Sequence, residues 1–199
     1  MPRRRADGPS ADELLASTGS AVLRSASRIA EYALANLPRV IVDGDKIVWP
    51  EAYEALVRKL REEKRDEPTL GDVIWAIDAA LDGADPSWIH ERLDSLIQSI
   101  DNMWVKGLIA AGLAMSRAAL KMNEKWVREL TTDPDAIFLK ILENGTPAAQ
   151  QAALLLREHP RLLSVISDYV LLKLGLQRMD NAKPQGPSRG EQAAARKGV

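Results

Sequence analysis

The 199-residue chain contains no cysteine. Disulfides, thiolate metal sites and cysteine nucleophiles are therefore excluded. It has two histidines, His90 and His159, far apart in sequence, too few for a His-rich metal site within one chain. Aromatic residues make up only 5%, and most of them are tryptophan. Long hydrophobic runs are missing as well. The uncharged apolar stretch in the middle, residues 107–116, is short for a bilayer span. The N-terminal MPRRRADGPS is basic, but no apolar segment follows it, so it does not read as a secretory signal. What remains is ordinary globular composition, 46% hydrophobic and 28% charged, enough chain for one domain with a core.

The net charge of −1 hides an asymmetry. Residues 1–39 hold six arginines against four acids, and residues 176–199 hold five bases against two acids. The acidic surplus therefore lies in the segment between them. Basic ends on an acidic body are a footprint of polyanion binding. They also suit solubilising tails, and composition alone leaves the two readings level.

Helical signals run along nearly the whole chain. Ser10 and Glu13 form a capping box that opens a helix expected to run to Leu37, where Pro38 stops it. Two β-branched runs around Asp43-Gly44 predict a hairpin within 40–49. Pro50 starts a helix to about Arg65, and Thr69 caps one over 70–82 that Gly83 ends. Asp85-Pro86 opens a very long helical pattern without proline until Pro134, with a bend expected near Asn102 or Gly107. Asp133-Pro134, Thr146-Pro147 and His159-Pro160 open three more helices, the last ending near Gly175. The tail beyond is polar and rich in Gly and Pro. With no β–α alternation, the expected fold is an all-α helical bundle. It carries an extended N-terminal helical arm, one short β-hairpin and a basic C-terminal tail. The expected divisions are a basic arm and helix (1–38), a bundle core (39–175) and a tail (176–199).

The N-terminal helix carries the most information. At 100° per residue, Ser17, Ser20, Arg24, Ser27 and Arg28 share one side, and Leu15, Val22, Ala26, Ile29, Ala33 and Leu37 lie opposite. Arginine grips phosphate bidentately, serine hydroxyls donate to phosphate oxygens, and small neighbours admit a sugar–phosphate surface. A serine stripe of this kind also packs tightly against another helix. Arg3, Arg4 and Arg5, just upstream, tilt the reading toward phosphate. The basic tail extends the candidate set to Arg178, Lys183, Arg189, Arg196 and Lys197.

Other residues point to structure. Trp75, Trp88, Trp104 and Trp126 read as core or subunit-interface anchors rather than base-stacking platforms. The aspartates cluster at turns and helix starts, where capping explains them. His90 and His159 read as surface or capping residues. No pair of groups makes a general acid and base, so an enzyme is not expected, nor any metal or cofactor.

Residues 137–171, IFLKILENGTPAAQQAALLLREHPRLLSVISDYVL, run helix, Gly-Pro turn, short helix, X-Pro, apolar helix. This order resembles the C-terminal part of the capsid proteins of rod-shaped and filamentous DNA viruses of hyperthermophilic archaea. The Ser- and Arg-bearing N-terminal helix likewise resembles their DNA-wrapping arm. The resemblance implies a major capsid protein. Paired with an identical or paralogous subunit, it would wrap double-stranded DNA in A form into a helical filament, in some members under a lipid envelope. It would assemble in the host cytoplasm and reside in the virion. Two alternatives stay open: a small helical subunit of an RNA-guided complex, and a helical protein–protein adaptor.

Overall fold

The computed structural model describes residues 11–43 and 46–179. Among them, nine helices and one two-stranded hairpin follow in the order α1 (Ala11–Val40), β1 (Val42–Asp43), β2 (Lys46–Ile47), α2 (Pro50–Glu63), α3 (Leu70–Ala80), α4 (Pro86–Ser99), α5 (Met103–Met122), α6 (Glu124–Thr132), α7 (Pro134–Glu143), α8 (Pro147–Glu158) and α9 (Pro160–Leu174). The all-α expectation holds, with strand confined to the hairpin.

Local chemistry sets most of these boundaries. Proline stands in the first turn of α2, α4, α7, α8 and α9, where its missing N–H costs nothing. Thr69 and Asp72 make a reciprocal capping box at the start of α3. Gly83 and Gly175 adopt positive φ after α3 and α9, conformations that disfavour a side chain.

Two expected boundaries are wrong. The pattern from Asp85 to Pro134 is not one bent helix but three, α4, α5 and α6. Asn102 Oδ1 accepts from the Trp104 and Val105 N–H groups, and Asn123 Oδ1 accepts from the Trp126 N–H. Each asparagine offers the backbone an N-cap in place of continued helix. Gly107 causes no break. Nor does Pro38 stop α1, which runs on to Val40. A proline one turn from a helix end removes a single donor and leaves the turns before it intact.

The hairpin pairs Val42 with Ile47 and Asp43 with Lys46. It delivers Ile41 and Trp49, both fully buried, into a core shared with Ala52, Val73, Ile77 and Leu162. Trp88 packs edge-on to Trp49, with ring centroids 6.0 Å apart. A second, smaller core joins Ala30 of α1 to Leu142 of α7 and Ala149 and Ala153 of α8. Helix α1 is thus a spine, packed most extensively along α5 and also against α8, α7 and α3.

The α5 segment is long and apolar enough to cross a membrane by length and composition alone. The expectation that this region is too short for a span is corrected on that count, because the helix runs on past Lys106 and Arg117, the charges that bound the uncharged stretch. One face of α5 carries the buried Val105 and Ala119, and Gly112 on that face lies against Ser25 of α1.

Candidate nucleic-acid interface

Helix α1 lies between two small-residue contacts. On one side, a Cβ added to Gly112 of α5 would lie 3.5 Å from Ser25 Cβ. On the other, Ser27 Oγ accepts a hydrogen bond from the Thr146 N–H in the α7–α8 turn, at 3.3 Å. Both serines are buried. On a helical wheel Ser25 lies about 80° to one side of Ser17 and Ser27 about 80° to the other, only about 20° from Ser20. The two readings of the serine stripe therefore separate by burial rather than by angle. Ser25 and Ser27 pack against neighbouring elements, whereas Ser17, Ser20, Arg24 and Arg28 are exposed together on an outward ridge.

Ser27 is accordingly corrected. It was expected on the phosphate side, and it is buried because the α7–α8 turn covers that flank of the helix. Gly145 makes the contact so close. A Cβ there would fall 2.6 Å from Ser27 Oγ and 2.8 Å from Ala149 Cβ. Gly145→Ala should lower stability by roughly 1–3 kcal/mol through overpacking, read as a lower urea midpoint. An unchanged midpoint would show that α1 is not held against this turn.

Arg178 is corrected as well. It is expected among the DNA-binding cations of the tail, but Asp135 and Asp168 grip it at 2.9 and 2.8 Å, and Ser164 Oγ accepts a third bond. The Asp135 carboxylate, foremost, holds its pKa above the ordinary arginine value. Beside it the Met179 N–H donates to the Thr131 carbonyl at 2.7 Å. Residues 178–179 therefore staple α6, α7 and α9. Arg3, Arg4, Arg5, Ser10, Lys183, Arg189, Arg196 and Lys197 lie outside the described residues.

The ridge that remains is short and simple. Arg24 and Arg28 stand about 6 Å apart along the axis. Arg28 Nη1 donates to Glu31 at 2.9 Å, and the arginine side chain is 68% exposed. An exposed pair of this spacing is worth only a few tenths of a kcal/mol, so it does not tie the guanidinium down.

Sequence reasoning passed over the charge of the neighbouring helix. Helix α5 holds Lys106, Arg117 and Lys121 and no acid. Lys106 Nζ donates to the Gln98 carbonyl, and Arg117 donates to the Lys173 carbonyl; Lys121 is exposed. The signal was legible as twenty residues without Asp or Glu.

The tryptophans divide. Trp88 joins the core edge, and Trp75 is partly covered by the Lys59 ammonium, 5.3 Å from its ring. Trp104 is 73% exposed, beside an equally exposed Met103. His159 Nδ1 lies 3.4 Å from Asp78 Oδ2 and makes no side-chain cap bond to α9. His90 packs against Tyr169, whose hydroxyl donates to Asp94 at 2.5 Å. Burial, foremost, raises the Tyr169 pKa, while the Lys173 ammonium, 2.6 Å away, holds the Asp94 carboxyl below its ordinary range. That cluster ties α4 to α9. No group of three His, Asp or Glu suited to a metal occurs among the described residues. Comparison of the chain with protein-family models, with curated proteins and with solved structures gives no match.

Proposed function

We propose that this chain is a non-enzymatic structural subunit that coats double-stranded DNA through sequence-independent phosphate contacts. One observation carries the reading: Ser17, Ser20, Arg24 and Arg28 lie exposed along one ridge of α1. The ridge spans about 17 Å, and the Arg24 and Arg28 positions stand about 6 Å apart along its axis, nearly two base-pair rises of about 3.4 Å. The small, exposed Ser17 and Ser20 before them admit a phosphate backbone, and bidentate arginine suits it. The cations of α5 add to the field around the ridge.

The filament part of the proposal rests on the resemblance of residues 137–171 and of the N-terminal helix to the archaeal viral capsid proteins. On that footing the subunit pairs with an identical or paralogous chain, holds DNA in A form and resides in a virion, with an envelope outside in some assemblies. A subunit of an RNA-guided complex and a helical adaptor are the competing readings.

Salt-titrated duplex binding tests it. The logarithm of affinity should fall linearly with the logarithm of salt, by about 0.9 for each phosphate neutralised. The slope should be equal for duplexes of unrelated sequence. Filaments should form with duplex in negative-stain images. Binding that ignores salt would favour the adaptor. Salt-sensitive binding to short RNA without filaments would favour the RNA-guided subunit.

A further inference from the structure

We propose that the groove between α1 and the start of α5 is a stacking site for one unpaired nucleotide of a nucleic-acid strand. The inference rests on the phosphate reading of the α1 ridge and extends it from backbone to base.

The groove is open to solvent and has a volume of about 410 Å³, within the size range of small-ligand sites, roughly 300–1,000 Å³. Arg28, Glu31, Tyr32 and Asn36 line it from α1, and Asn102 and Trp104 from the head of α5. Trp104, Asn102, Asn36 and Arg28 each supply a distinct part of nucleotide recognition, and Glu31 orients Arg28. Trp104 leaves 73% of its surface open to solvent, yet its backbone is fixed, because its N–H donates to Asn102 Oδ1 at 3.0 Å. An uncovered indole on a fixed backbone at the rim of a groove is a stacking platform without its second ring.

The hydrogen-bonding groups complete the site. Asn102 uses its carbonyl oxygen for the cap, which leaves its amide N–H groups as donors. Asn36 Nδ2 donates to the Tyr32 carbonyl at 2.9 Å, which leaves its oxygen as an acceptor. A nucleobase edge presents both donors and acceptors. Arg28 commits one N–H to Glu31 and keeps its remaining donors for a phosphate. The positive end of α5 adds to that attraction.

The occupant must expose a flat π-face and carry negative charge. A base stacked inside a duplex cannot offer its face to an indole, so the strand is locally unpaired. A second copy of this chain could bury Trp104, but it would leave the two asparagine amides in competition with a hydrophobic contact. Among the side chains lining the groove Arg28 stands against the single acid Glu31, and Lys106 follows two residues beyond Trp104, a balance that favours an anionic occupant.

The test compares the full chain with its Trp104→Leu variant on two probes, a 12-nucleotide oligodeoxyadenylate and a blunt duplex of the same length. Stacking on one aromatic side chain corresponds to roughly 5–100-fold in affinity. Trp104→Leu should lose about tenfold or more on the single strand and stay within twofold on the duplex. The oligodeoxyadenylate should quench wild-type tryptophan emission, and the variant should lose that quenching while keeping its melting temperature. Trp104→Phe should recover part of the affinity. A folded Trp104→Leu variant that binds the single strand as the wild type does overturns the stacking site alone. So does a variant whose only defect, in sedimentation, is lost self-association, because the groove then belongs to a second copy. Failure of the wild type to bind either probe overturns the phosphate ridge as well.

Discussion

Reversing two charges, Arg24→Glu and Arg28→Glu together, should weaken duplex binding on the order of 100-fold near 0.1 M salt and leave the fold intact. Each lost phosphate contact removes about 0.9 from the salt slope, hence close to one decade at that salt. The double variant should therefore bind weakly and with a slope shallower by nearly two. The loss should be the same on every sequence, since phosphates carry no base information.

The fold should survive because both side chains stand on the exposed ridge of α1. The Arg28–Glu31 pair is lost and replaced by two acids at i and i+3, which costs a few tenths of a kcal/mol. The packed-stripe reading predicts the opposite pattern, a lower melting temperature with an unchanged slope. Its proper targets are Ser25 and Ser27, which face Gly112 and Gly145. A larger residue at Ser27 should lower the melting temperature without touching the slope. Thermal melts and salt titrations on the same variants separate the two roles. A destabilised ridge variant with wild-type slope would end the DNA assignment of α1.

Much of the fold was legible because its signals are local. The proline-initiated helices α7, α8 and α9 need only Asp, Thr or His followed by Pro, and the hairpin needs only its Asp-Gly turn between β-branched runs. The breaks at Asn102 and Asn123 were less legible. Asparagine is tolerated inside helices, and only the geometry shows its side chain turned back onto the next N–H groups. The candidate site was legible in part for a related reason. Helical periodicity put Ser27 with Arg24 and Arg28, but a wheel angle does not reveal that a turn 119 residues away rests on Ser27. Arg178 read as a tail cation because its partners, Asp135 and Asp168, lie in α7 and α9. Trp104 gave no sign of its exposure, since its apolar neighbours in sequence suit a core helix equally well.

The largest single effect on stability away from the cores should come from Asp72. This carboxylate is buried, 4% exposed, at the junction of α2 and α3. Arg65 reaches both its oxygens at 2.8 Å, the Thr69 N–H and hydroxyl donate to Oδ2 at 2.8 and 2.7 Å, and Lys59 stands 3.4 Å away. Asp72→Asn keeps the size of the side chain but removes the charge that three donors share, and it turns an amide N–H₂ toward donors. Breaking a buried, hydrogen-bonded charge in this way costs roughly 2–4 kcal/mol, read as the shift in urea unfolding at neutral pH. Arg65, above all, holds the Asp72 carboxyl well below the ordinary aspartate range. The sign of the pH dependence follows. With the folded value depressed, the stabilisation is complete above the unfolded aspartate pKa of about 3.9 and is lost as pH falls through the lower folded value. The gap between wild type and Asp72→Asn should thus be constant from about pH 5 upward and close progressively below pH 4. Lys59 and Arg65 remain charged throughout that window; Glu63, which pairs with both and is held below its ordinary range foremost by Lys59, titrates there too but is present in both proteins, so the closing of the gap reports Asp72. A gap that persists unchanged into strong acid would show that the side chain stabilises α3 by packing and capping rather than by its charge.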